Sequence, residues 1–241
     1  MIERILPAAV ASSAMRTPVP VTRPPSREQT PLALASRRRA IAAGRRCARR
    51  ALGKLGAPIG PLATGPTDEP LWPDGVVGAV THCVGYAAAA VARAADLAGL
   101  GIDAEPHRPL CVGVLEAIAL SDERAHLREL ARARPGIHWE RLLFSAKESL
   151  HRAWLPVTRR RLDFTDAEVR FGPAAPGPGP AQGRFEIRLL PSGPPDGSTT
   201  GHGLEGRWLV DGGLVATAVT ASAAAARRPL RPGRRAAPSP S

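Results

Sequence analysis

The chain has 241 residues, 44% of them hydrophobic, enough for one or two compact domains with a real core. Its formal net charge of +12 calls for an anionic partner, yet lysine occurs only at Lys54 and Lys147 and aromatic residues make up 4%, so the basic residues lack the interleaved stacking rings of a nucleic-acid binder. No apolar run approaches the roughly 18 residues of a membrane span, the N-terminus has no compact signal-peptide core, and Cys47, Cys83 and Cys111 fit neither a disulfide framework nor a metal clip, so the expectation is a soluble cytoplasmic protein.

Residues 1–35 are irregular and proline-rich, which predicts an arm rather than a helix. From 36 to 55 the spacing of Ile41, Ala48, Leu52 and Leu55 predicts a helix ended by Gly56. Its other faces carry Arg37, Arg38, Arg45, Arg46, Arg49 and Arg50, as either a solvated face or an anion-binding one. A Pro/Gly-rich loop over 57–75 closes on Trp72-Pro73. A short buried strand is predicted at 76–80, running through Thr81-His82-Cys83 into a small-residue helix over 86–97. A second strand follows at 100–104, then helices over 111–120 and from Ser121 to about 135, the latter with an acidic first turn. A helix over 145–154 is expected to stop at Pro156. The remainder reads as strands at 161–164, 168–171 and 184–190 and a hairpin, 207–210 with 214–220, around Asp211-Gly212-Gly213. Residues 223–241 are expected to be disordered.

Two segments carry chemistry. Asp103 and Glu105 are separated by one residue in a strand, so both side chains point to one face. Acids at a strand end often only meet water, and Ser145-x-x-Glu148 has the form of a capping box, in which the glutamate closes a helix and does no chemistry. Lys147 reads equally as a surface lysine. Together, however, three carboxylates and an ammonium are the parts of a divalent-cation and phosphate site. His82, between a strand and an expected helix, suits either a satisfied loop histidine or a phosphate contact.

The order of blocks resembles a family. Gly101-Ile102-Asp103, then about forty residues on Phe144-Ser145-Ala146-Lys147-Glu148-Ser149, matches the paired motifs of the 4′-phosphopantetheinyl transferases of the enterobactin-synthetase-component-D type and their actinobacterial relatives. Arg38-Arg39 through Gly44-Arg45-Arg46-Cys47-Ala48-Arg49 is similar to the family's arginine helix. Trp72-Pro73-Asp74-Gly75 with Gly78-Ala79-Val80-Thr81-His82-Cys83 is similar to its W-P-x-G and histidine block, and Ala153-Trp154-Leu155-Pro156 and Leu162-Asp163-Phe164 extend the match. The likeness spans roughly residues 36–220. His151-Arg152 stand where the family carries Lys or Tyr-Lys, and no Lys or Arg lies between Lys54 and Arg93, where relatives place a basic phosphate contact.

The resemblance implies an α+β fold of two similar halves related by a pseudo-two-fold, with the active site at their interface. It divides the chain into an arm (1–35), an N-terminal half (36–105), a C-terminal half (106–222) and a tail (223–241). It implies an enzyme that transfers 4′-phosphopantetheine from coenzyme A to a serine of an acidic acyl or peptidyl carrier domain, releasing adenosine 3′,5′-bisphosphate. The alternative is a non-catalytic coenzyme A or carrier binder of the same fold. By position, Asp103, the Ala104 carbonyl, Glu105 and Glu148 would hold Mg²⁺, or Mn²⁺, since hard oxygen ligands accept both. Glu148 would also act as general base, Lys147 would neutralise phosphate charge, His82 and Thr81 would hold the 3′-phosphate, and Arg37, Arg45 and Arg152 would contact the cofactor. A monomer with no membrane partner is implied.

Overall fold

A computed structural model describes residues 1–17, 31–65, 70–158, 161–175, 179–190 and 204–223. Two antiparallel sheets, each backed by one long helix, build an α+β fold. The first sheet has the order β1-β3-β2, from β1 (Ala11–Arg16), β2 (Val76–Cys83) and β3 (Tyr86–Arg93), and α1 (Pro31–Leu55) packs on it. The second has the order β4-β8-β7-β6-β5, from β4 (Leu97–Pro106), β5 (Ala167–Phe171), β6 (Ala181–Leu189), β7 (Leu204–Asp211) and β8 (Leu214–Ser222). Between β4 and β5 run α2 (Val114–Ile118), α3 (Ser121–Ala133) and α4 (Trp139–Thr158), and α4 lies on β4 and β8.

Side-chain alternation sorts the strands into three cores. Ala87, Ala89 and Val91 pack against Cys47, Ala48, Ala51 and Leu52 of α1. Ala88, Ala90 and Ala92, on the other face of the same strand, meet Leu100, Ile102 and Ala104 of β4 and Leu209, Ala216 and Ala218. Beyond β4 and β8, Trp139, Leu142, Leu143, Ala146 and Leu150 of α4 cover Trp208, Val215 and Val219. The helices therefore lie outside and the sheets share an inner core. The two sheets also meet along β2 and β4.

Several expectations are corrected. The segment expected as a helix over 86–97 is strand β3, because alanine alone is small enough for both α1 and the second sheet to approach it; packing overrides its helical propensity. The arm is not irregular near its start. A 3₁₀ turn (Ile2–Ile5) buries Ile2 and Ile5 in the inner core, and β1 pairs with β3, both dictated by long-range contacts that Ala-Ser-Ser-Ala-Met-Arg does not advertise. Residues 18–30, within that expected arm, lie outside the described residues, as does the expected tail beyond Ala223. The helix expected over 111–120 contracts to Val114–Ile118. The strand expected at 161–164 is instead extended chain leading into a 3₁₀ turn, Phe164–Asp166, where the Phe164 carbonyl serves a buried lysine. Helix α4 starts six residues before Ser145 and includes Pro156, which lies two residues from its end and so removes a single late hydrogen bond. The hairpin turns on Gly212 and Gly213 at φ 55° and 75°, as the Asp-Gly-Gly signal predicts. Strand β4 pairs antiparallel with β8, with a register shift between Leu97 and Gly99.

Candidate active site

The site forms at the seam between the sheets, beneath the middle of α4. Gly99, Gly101, Asp103 and Glu105 alternate onto the α4 side of β4, while Leu100, Ile102 and Ala104 face the inner core. Gly101 lets the helix sit directly on the strand: a Cβ there would come 1.9 Å from the Ser149 carbonyl oxygen and 2.7 Å from the Ala153 nitrogen. The azimuth of α4 is set by Thr217, which stands opposite Asp103 in the β4–β8 register. Its hydroxyl donates to the Ser145 carbonyl at 2.8 Å and meets Ser145 Oγ at 2.8 Å and Ser149 Oγ at 2.7 Å. Ser145 is thus a buried mid-helix residue bonded to β8, and the capping-box reading of Ser145 and Glu148 is corrected: Glu148 is released from that structural duty.

Asp103 is 2% exposed. Its Oδ1 accepts from Thr81 Oγ1 at 3.1 Å and from Arg152 Nη1. Thr81 Oγ1 in turn accepts the Ala104 N–H at 3.1 Å, so one hydroxyl of the first sheet ties the free edge of β4. Arg152 also donates to the Ile102 carbonyl at 2.8 Å and to Glu148 Oε2 at 3.3 Å. One guanidinium therefore bridges the aspartate of β4 and the glutamate of α4. The second oxygen of Asp103, Oδ2, is buried with no hydrogen-bond partner.

Glu105 receives Arg141 Nη1 at 3.4 Å, and Arg141 is itself held by the Arg108 and Pro109 carbonyls. Burial first, and then the Asp103 charge, push the Glu105 carboxyl up to about 7 against Arg141 and Arg152. The Cys83 thiol, raised to about 12 by burial and by Glu105 and Asp103, reports the same negative field. Arg152 runs the other way: burial opposes its charge, but Asp103, Glu148 and Glu105 raise its pKa.

The Lys147 ammonium is not among the groups that meet at Asp103. It is buried on another side of α4 and spends its three donors on the Ile118 carbonyl (2.9 Å), Glu123 Oε2 (2.8 Å) and the Phe164 carbonyl (2.6 Å). Glu123 also accepts the Leu120 and Val169 N–H groups, so the pair locks α3 and β5 to α4. Burial lowers the Lys147 pKa and Glu123 supports its charge.

His82 is the penultimate residue of strand β2, which leads into strand β3 and not into a helix, so no helix N-terminus follows it. Its side chain is exposed yet crowded. Partial desolvation and then the charge of Arg152 lower its pKa from 6.5, with a smaller contribution from Arg37. Arg45 donates to the Leu62 carbonyl at 3.2 Å and to Thr64 Oγ1, pinning the loop before Trp72. A cavity of about 270 Å³ opens beside Glu148 and Lys147, lined also by Leu150, His151, Arg161, Leu162, Asp163 and Phe164.

The structure thus brings together Asp103, Glu105, Glu148, Arg152, Thr81 and His82. It sets Lys147 apart and engages Arg45 in the fold. Sequence reading missed Thr217, Arg141 and Glu123, since only the β4–β8 register and the α3–α4 packing reveal them. Among the described residues no three His, Cys, Asp or Glu side chains are already drawn into a metal-holding cluster. The donor set nevertheless fits a hard cation: oxygen ligands on one face, an orphaned Asp103 Oδ2, and a Glu105 whose ionisation lacks sufficient counter-charge.

The chain is similar to known proteins along most of its length. Residues 26–92 match the family model described as the 4′-phosphopantetheinyl transferase N-terminal domain, and residues 99–210 match that of the 4′-phosphopantetheinyl transferase superfamily. The chain is 48% identical over 230 residues to the 4′-phosphopantetheinyl transferase Svp of Streptomyces mobaraensis, covering 93% of this chain and 91% of that one. It is 46% identical over 204 residues to PptT of Mycobacterium tuberculosis (81% and 85% covered). Likeness to enterobactin synthase component D of Salmonella typhi is 35% over 112 residues, 46% of each chain.

Proposed function

The chain belongs to the 4′-phosphopantetheinyl transferase superfamily, and on that premise we propose that it moves the phosphopantetheine arm of coenzyme A onto a serine of an acyl or peptidyl carrier domain, releasing adenosine 3′,5′-bisphosphate. The observation that carries the reading is the seam at which Asp103, Glu148 and Arg152 converge, with the Asp103 Oδ2 atom left for a ligand. Asp103, the Ala104 carbonyl, Glu105 and Glu148 are the residues that would hold Mg²⁺ or Mn²⁺, which when bound would supply charge neutralisation at the pyrophosphate.

The side chains divide the remaining work. Glu148, on a helix locked by Thr217, takes the proton of the carrier serine hydroxyl as its oxygen attacks the phosphorus that bears the arm. Thr81 orients Asp103, so that a residue of the first sheet aims one of the second. His82, whose pKa burial and then the Arg152 charge lower, offers a ring N–H to the 3′-phosphate, with the charge of Arg37 acting on it as well. The slot beside Glu148 accepts the arm of methylenes and amides, with Leu150, Leu162 and Phe164 against its methylenes and the polar groups of His151, Arg161 and Asp163 within the same lining. The exposed arginines of α1 (Arg38, Arg39, Arg46, Arg49, Arg50) favour acidic carriers. No described helix is long and apolar enough to cross a membrane.

The test incubates the chain with several apo carrier domains, coenzyme A and Mg²⁺ and reads carrier mass. Gain of one phosphopantetheine on a carrier is expected. Carrier or coenzyme A binding without any mass gain would favour the non-catalytic binder.

A further inference from the structure

Arg152 faces a charge problem that it solves only in part. Asp103, Glu105 and Glu148 bring three carboxylates to one seam, against two guanidiniums, Arg152 and Arg141. Arg141 serves Glu105 and two backbone carbonyls at the loop after β4. Arg152 alone spans the other two, with Nη1 on Asp103 Oδ1 and the Ile102 carbonyl and Nη2 on Glu148 Oε2. Its head thus lies between the very carboxylates that the proposed function assigns to the cation and the base. The side chain is 32% exposed, so it reaches the seam from the open side and has room to turn outward. The contact with Glu148 is the longer of its two ion pairs and the first to give way.

We propose that Arg152 is the resident counter-ion of the Asp103–Glu148 pair and that its transfer to the incoming diphosphate makes cation binding and coenzyme A binding depend on each other. The inference rests on the proposed function. Without a diphosphate the guanidinium holds both acids and repels a second cation. When the pyrophosphate arrives, its oxygens offer the guanidinium a planar bidentate partner, Glu148 is freed, and the seam becomes able to hold the divalent ion. Arg152 holds Asp103 by Oδ1 and leaves Oδ2 without a hydrogen-bond partner, so the cation need not displace it from that atom. The device also keeps Glu148 masked as a base until the donor substrate is in place. By linkage the coupling is reciprocal: whatever factor coenzyme A contributes to cation affinity, the cation contributes to coenzyme A affinity.

The test titrates Mn²⁺ into the full chain, following free Mn²⁺ by electron paramagnetic resonance, with and without coenzyme A, for wild type, R152Q and R152K. Wild type is expected to bind Mn²⁺ weakly alone and at least on the order of tenfold more tightly with coenzyme A, within the usual range of site-to-site coupling. R152Q is expected to bind Mn²⁺ alone about tenfold more tightly than wild type and to lose a similar factor of coupling, because the competing charge is gone. R152K, whose ammonium can serve one carboxylate at a time, should fall between them and covers the case in which R152Q fails to fold. Thermal melts establish folding. A folded variant that binds Mn²⁺ alone no more tightly than wild type overturns the proposal. If wild type binds no Mn²⁺ under either condition yet loads carriers in excess chelator, the cation part of the proposed function falls as well. If cation binding is normal and identical in all three chains, only the role of Arg152 falls.

Discussion

Replacing Gly101 with alanine tests whether the strand–helix contact positions the site. The added Cβ would sit 1.9 Å from the Ser149 carbonyl oxygen, 3.0 Å from its carbon and 2.7 Å from the Ala153 nitrogen, all backbone atoms of α4. No side chain can rotate away, so α4 must retreat by about 1.5 Å to reach an ordinary contact of 3.4 Å. Overpacking of this kind costs about 1–3 kcal/mol. At about 2–4 °C per kcal/mol for a chain of this size, the melt should fall by about 2–12 °C. The catalytic cost is larger, because Glu148 and Arg152 ride on the displaced turns while Asp103 stays on β4. A shift of about 1 Å is worth about 10²-fold in rate, so G101A should load carriers at least that much more slowly at a temperature where it is folded. The assay pairs a time course of carrier mass with a thermal melt. G136A is the control, since a Cβ at that exposed glycine meets nothing within 4 Å. A G101A protein that melts within about 2 °C of wild type and loads carriers within about threefold would refute the claim that close approach at Gly101 sets the site.

Removing the ammonium in K147M strands the fully buried Glu123 charge, which should cost about 3–5 kcal/mol and lower the melt by about 6–20 °C. Below its melt the variant should keep carrier loading within about tenfold; a loss beyond about 10³-fold with an unchanged melt would show that Lys147 reaches the substrate. Glu105 predicts a pH dependence. Its folded pKa of about 7 exceeds the ordinary 4.5, so the native state holds a proton that the unfolded chain has released. Stability in chelator should therefore fall as pH rises from about 4.5 to about 7, by up to about 3 kcal/mol, and level off above. Millimolar Mg²⁺ should flatten that slope by lending the carboxylate a counter-charge; a melt already flat from pH 5 to 8 in chelator would contradict it.

Much of the site was legible in the chain itself. Gly101-Ile102-Asp103 and Lys147-Glu148-Ser149 are short, local and chemically loaded, and the alternation of a strand alone puts Asp103 and Glu105 on one face. The hairpin at Gly212-Gly213 was equally legible, because only a residue tolerant of positive φ makes that turn. The alanine run at 87–90 was misread, because alanine propensity favours a helix and nothing local records that two layers close on it from both sides. Ser145-x-x-Glu148 was ambiguous for a similar reason: a capping box and a mid-helix turn share the same letters. Only the start of α4 at Trp139, set by its apolar stripe on the second sheet, separates them.

The sequence by itself determined the parts: which carboxylates exist, their spacing along the strand, the arginine-rich helix, and hence the family. The tertiary structure decided which parts meet. It spent Lys147 on Glu123, drew Arg152 across Asp103 and Glu148, and left Asp103 Oδ2 without a partner. The reason is physical: the identity of a side chain is local, but its partners depend on register between strands far apart in sequence and on the angle at which a helix settles on them. At this seam both are set by Gly101 and Thr217, small residues that carry no chemistry of their own.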